Sequence, residues 1–242
     1  MGFTSYNDYT LNETYDSYVE LKKLTQDIRD FRQKSAAGEV YSLASMTKLN
    51  YKVLPREFLL KTGFTFGRLG EGGVSKGRFF PPSQYKELQE EYLHREGDEK
   101  NAAKYKVGVI IVWSPDQSTI IHEIEHAWDS YRSKGKFNTN AGNAEWHRRL
   151  GKEGSLTLGD TMKLYSRTAH EMSSFFVAAV NELNFFYGYA SETDLKPFSV
   201  VYDEFKRYYD GYKYLGDKEK KILARKFSQY YYRIRERKPG DE

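Results

Sequence analysis

The chain has 242 residues, with 38 basic against 34 acidic, a net charge of +4 and no cysteine. That length can bury a substantial core, and the near-balance of charge makes no global demand for nucleic acid. Without cysteine there are no disulfides and no thiolate ligands, so any metal must be held by histidine and carboxylate.

Residues 1–13 are polar, and the stretch to Lys22 lacks the apolar core of a signal peptide. From Tyr15 to Lys34 the residues Tyr18, Leu21, Leu24, Ile28 and Phe31 recur at helical spacing, which predicts an amphipathic helix packed on the rest. Residues 1–50 thus read as an N-terminal helical extension and 51–242 as the main domain. Phe58-Leu59-Leu60 and Phe64-Thr65-Phe66 read as strands. Gly67, Gly70, Gly72, Gly73 and Gly77 then mark a loop closed by Pro81-Pro82. It carries neither G-x-x-x-x-G-K-[ST] nor G-x-G-x-x-G, so it reads as a hairpin or cleft-edge loop rather than a phosphate cradle.

Tyr85 to Arg95 is expected to form a charged helix ending at Gly97. The β-branched run Tyr105–Trp113 predicts a buried strand. Ser114-Pro115-Asp116 breaks it, and Asp116 or Ser118 is placed to cap a following helix. Residues 134–159 are rich in Gly and Asn, with a short helical piece at Ala144–Leu150; His147 there reads as a surface residue. Further helices are expected at about 160–188, 197–213 and 217–237. No segment approaches the run of about 18 apolar residues that spans a membrane. A soluble protein made in the cytoplasm is therefore expected, with export by a non-classical route or in a particle left open. The overall expectation is α+β and mostly helical: a small twisted sheet over one helix, then a helical C-terminal half.

The chemistry concentrates in His122-Glu123-Ile124-Glu125-His126. On a helix, residues four apart lie on the same face, so this H-E-x-x-H run lets both imidazoles reach one Zn²⁺ ion while Glu123 stands beside them to take a proton from water. Ile120, Ile124, Ala127, Trp128 and Tyr131 fall on one side of that helix at 100° per residue, and His122, His126 and Asp129 on the other. Zinc needs a third protein ligand. The H-E-x-x-H-x-x-G-x-x-H extension is absent, because Asp129 and Arg132 stand at its Gly and last His. Glu171 opens a strongly apolar helix 45 residues after His126 and is the first candidate, with His170 and Asp129 as alternatives. Asp129 is better placed to orient a histidine ring through its N–H.

The stretch His122–Tyr131 resembles the active-site helix of zincin metallopeptidases with a glutamate third ligand. It is most similar to the group around anthrax toxin lethal factor, where Ala, a variable residue and Asp likewise follow the motif. Glu171-x-x-Ser174 echoes the glutamate helix of the gluzincins, although His170 and Phe175 replace the Asn and Asp seen there in thermolysin-like enzymes. The resemblance covers roughly residues 105–183. It implies a zinc metallopeptidase acting on a protein or peptide, with Tyr165, upstream of the ligand glutamate, assisting catalysis. It also implies that an edge strand beside the helix pairs with the substrate backbone, which makes Val107–Trp113 a candidate ledge.

Three other readings stand beside it. A zincin fold can bind metal without turnover, and a zinc hydrolase can act on a non-peptide amide. The third lies in residues 217–242, where nine basic against five acidic residues interleave with Tyr230-Tyr231-Tyr232. Such a segment can bind single-stranded nucleic acid; a solvated helix face with inward tyrosines explains the same pattern more simply.

Overall fold

The computed structural model describes residues 15–47, 54–68, 75–94, 99–134, 158–187 and 196–236. Contacts divide the chain into two units, residues 20–139 and residues 1–19 with 140–242. The architecture is α+β and mostly helical, as expected.

Helix α1 (Tyr15–Arg32) forms on the predicted spacing, and from Glu20 onward it belongs to the unit of residues 20–139. Leu21, Leu24 and Ile28 are buried along one face, and Arg29 Nε donates to the Pro115 carbonyl at 2.9 Å. A short strand β1 (Tyr41–Ser42) and helix α2 (Leu43–Thr47) follow. Phe58-Leu59-Leu60 departs from expectation: it lies in helix α3 (Arg56–Lys61), not in a strand. A three-residue apolar run has no period of its own, so its flanks decide. Pro55 supplies a fixed φ at the entry, and Glu57 pairs with Lys61 one turn on at 3.7 Å. Phe58 and Leu59 are buried while Leu60 is 49% exposed, a helical division of faces.

Strand β2 (Thr62–Phe66) follows at once, where Phe64-Thr65-Phe66 predicted one. Strand β3 (Gly77–Phe80) begins at the glycine that the sequence assigned to a loop. The helix expected over Tyr85–Arg95 is irregular and shorter. A 3₁₀ turn at Pro82–Gln84 leads into one α turn at Tyr85–Glu87 and a π turn at Leu88–Tyr92, and His94 leaves with a φ of 49°. Helix α4 (Glu99–Lys104) precedes strand β4 (Gly108–Val112), the core of the predicted strand.

The sheet has the order β1-β2-β4-β3. Strands β2 and β4 run parallel, with Thr62 opposite Gly108 and Phe66 opposite Val112. Strand β3 runs antiparallel to β4, with Gly77 opposite Val112 and Phe80 opposite Val109. Strand β4 therefore has a neighbour on each side and is not an open ledge, which corrects that expectation; among the described residues β3 is the edge strand on that side. Alternation divides β4 between two packed layers. Val109 and Ile111 pack with Phe80, Tyr85, Leu88 and Trp113 on one face. Ile110 and Val112 point to the other, where helix α5 (Gln117–Arg132) lies across β3 and β4. Coverage on both faces is why β4 reads as an unbroken apolar run.

In the other unit, the predicted helix at 160–188 is two helices, α6 (Leu158–Ser166) and α7 (Ala169–Tyr187). Thr168 makes the break. Its N–H and its Oγ1 both donate to the Tyr165 carbonyl, at 3.1 and 2.9 Å, and its own carbonyl accepts the first bond of α7 from Met172 N–H at 2.9 Å. Helices α8 (Phe198–Tyr208) and α9 (Asp217–Glu236) complete the unit. Phe205 of α8 and Phe227 of α9 stack with centroids 4.3 Å apart, both fully buried. Tyr231 turns inward, its hydroxyl donating to the Lys196 carbonyl at 2.9 Å. Among the described residues no helix is long and apolar enough to cross a membrane. Gly70, Gly72, Gly73, Gly97 and the expected helix carrying His147 lie outside the described residues.

Candidate metal centre

Helix α5 is launched by Asp116. Of the two predicted caps it is this one that acts: Oδ1 accepts from Thr119 N–H and Oδ2 from Thr119 Oγ1, each at 2.9 Å. Ile120, Ile124, Ala127 and Trp128 are buried, and Trp128 meets Phe58 edge-on at 5.3 Å. His122, Glu123, Glu125, His126 and Asp129 are buried as well. Ionisable groups stay buried on a helix only when something compensates them, so the polar side of α5 needs a physical explanation.

Part of it is an internal ion cluster. Asp129 Oδ1 accepts from the Arg132 guanidinium. The same guanidinium lies 3.5 Å from Glu125 Oε1 and 5.4 Å from the Trp128 ring centroid. One cation thus answers two buried carboxylates on successive turns.

The histidines account for the rest. Nε2 of His122 and Nε2 of His126 face each other at 3.0 Å, with their rings 84° apart. Two ligands of one tetrahedral zinc, each at about 2.05 Å, stand about 3.3 Å from each other. The pair is therefore already close to chelating spacing. Glu171 lies in the first turn of α7 and is buried. A carboxylate placed there only for the helix dipole would be expected in water. Its Oε1 lies 3.5 Å from Nε2 of His170.

His122, His126 and Glu171 offer one ligand atom each, all within 4.8 Å of one another, and form a possible metal site. Neither His170 nor Asp129 belongs to that group. Two imidazoles and a carboxylate, without thiolate, are a donor set that suits zinc with a position left for water.

Glu123, between the two histidines, extends toward strand β3. A Cβ placed on Gly77 would lie 2.8 Å from Glu123 Cγ, 3.1 Å from its Oε1 and 2.8 Å from Thr119 Cγ2. Tyr165 is half-buried at the end of α6, with its ring edge-on to Phe175 at 6.2 Å. Phe175 stands one turn after Glu171 on α7.

Tyr209, which the sequence did not single out, lies on the other flank of Phe175 at 5.7 Å. Its hydroxyl donates to the Met172 carbonyl at 3.2 Å. Burial, and after it the Glu171 carboxylate, pushes that hydroxyl well above the ordinary phenol range. One tyrosine among the many of a tyrosine-rich chain carried no local signal for this position. No family model, curated protein or solved structure matches the chain; the buried group of His122, His126 and Glu171 is consistent with a zincin-like site.

Proposed function

We propose that the protein is a zinc-dependent metalloendopeptidase, with His122, His126 and Glu171 as ligands of one Zn²⁺ and Glu123 as general base. The observation that supports this best is the buried His-His-Glu group with a glutamate inside the histidine pair on α5. The ion, when bound, lowers the pKa of a water toward 7 and polarises a carbonyl oxygen. Glu123 takes the proton of the attacking water and delivers it to the leaving amine. Tyr165 donates a hydrogen bond to the oxygen that gains charge. Asp129, one turn beyond His126 and held by Arg132, orients a histidine ring. The substrate is an extended peptide, added as a further strand along the edge of β3.

The test is Glu123→Gln, assayed for zinc by elemental analysis and for cleavage of a peptide library. The variant is expected to keep one zinc per chain and to lose turnover by about two to four orders of magnitude. Full zinc-dependent cleavage by the variant would sink the assignment. A wild-type protein that holds zinc and cleaves no peptide would be a binding protein on the same scaffold.

A further inference from the structure

We infer that Gly77 is a positioning residue for Glu123, its missing side chain being the recess in which the glutamate lies. The inference rests on the reading of Glu123 as the proton acceptor and extends it to the opposing strand.

Three observations carry it. Gly77 is buried in β3, directly opposite Val112, on the face of the sheet that α5 covers. Its backbone is not left-handed; among the described glycines only Gly38 and Gly108 have positive φ. Conformational freedom is therefore not the reason for a glycine here. Space is the reason. The volume of a methyl group is already taken by Glu123 Cγ and Thr119 Cγ2, both 2.8 Å from where the Cβ would be, with Glu123 Oε1 at 3.1 Å. Contacts under 3 Å are not accommodated by small shifts in a packed interior.

Thr119 cannot yield easily, because its N–H and its hydroxyl are both bonded to Asp116. Glu123 is thus walled by the β3 backbone on one side and by a pinned threonine below. A glutamate has two methylenes and ordinarily samples many rotamers; the recess narrows that choice for the residue that follows His122 on α5. A proton acceptor misplaced by about 1 Å can lose about 100-fold in rate.

The experiment uses Gly77→Ala alone and with two partners. Thr119→Ser deletes Cγ2 but keeps the hydroxyl bonded to Asp116, so that in Gly77→Ala/Thr119→Ser the remaining obstacle is Glu123. Zinc-loaded, this double variant is expected to keep one ion per chain and an unchanged KM, with kcat lower by about 100-fold. Adding Glu123→Gln to it should cost about 100-fold less than the same change costs in Thr119→Ser.

Thermal midpoints supply a readout independent of turnover. In the Thr119→Ser background, Gly77→Ala lowers the midpoint, and Glu123→Ala added to that chain restores it. Additive midpoint losses, or wild-type kcat in the Gly77→Ala/Thr119→Ser variant, would overturn the inference. If the zinc-loaded wild type cleaves nothing, the peptidase reading fails by itself. The crystal structure of Gly77→Ala/Thr119→Ser then decides the positioning role: a displaced Glu123 carboxylate supports it, and an unmoved one refutes it.

Discussion

At Tyr209 burial and charge act in the same direction. A phenol among Phe175, Phe205 and the Glu171 carboxylate resists ionisation, because its anion would lose water and face a like charge. The folded chain therefore keeps the proton at pH values where the unfolded chain releases it, from about 10 upward. Above that value the unfolded state binds fewer protons, so stability falls as pH rises, by up to about 1.4 kcal/mol per pH unit for one such group. Tyr209→Phe is expected to flatten this alkaline loss, as read from denaturant midpoints between pH 9 and 11; an unchanged slope would contradict the assignment. Legibility at this scale follows sequence distance. The histidine pair was readable because its two members are one helical turn apart. Glu171 was readable only as one of three acceptable third ligands, since 45 residues separate it from His126 and nothing local fixes where that chain returns. Gly77 was not readable at all, because a glycine records the absence of a contact and not its cause.

Elements were legible where a period had room to declare itself. The predicted helices behind α1, α5 and α7 each run through more than three turns, long enough for a helical period to show in the sequence. The failures are short. In α3 three apolar residues were outvoted by Pro55 and the Glu57–Lys61 pair. In β3 a glycine that reads as a loop residue is the first residue of an edge strand. Among the helices of the C-terminal region, α8 and α9 hold each other through the Phe205–Phe227 stack. Phe227→Ala should cost about 3–5 kcal/mol, the ordinary range for emptying a fully buried aromatic site. Urea titration checks this, and a loss below about 1 kcal/mol would mean that the stack does not hold the two helices.

For the whole chain, the metal is the quantity to vary. An ion that binds the folded chain and not the unfolded one stabilises it in proportion to the logarithm of its free concentration, by about 2.7 kcal/mol at a hundred times its dissociation constant. Chelation is accordingly expected to lower the thermal midpoint of the wild type, and readdition of zinc to restore it. His126→Ala should melt at the same temperature with and without chelator, whereas Glu123→Gln should respond as the wild type does. A chelator-insensitive wild type would argue that His122 and His126 merely bond each other.

The fixed register of β3 has a chemical consequence. Gly77 is flanked in sequence by Lys76 and Arg78. Gly108, with a φ of 126° and the Phe80 carbonyl standing where its Cβ would be, leaves no room for a side chain between the two strands there. If β3 slid by a single position along β4, one of those two cations would be turned to the face where the glycine now lies. It would crowd the Glu123 side chain and pair with its carboxylate. Faithful alignment of four residues at the rim of a small sheet thus keeps a helix carboxylate clear of a strand cation.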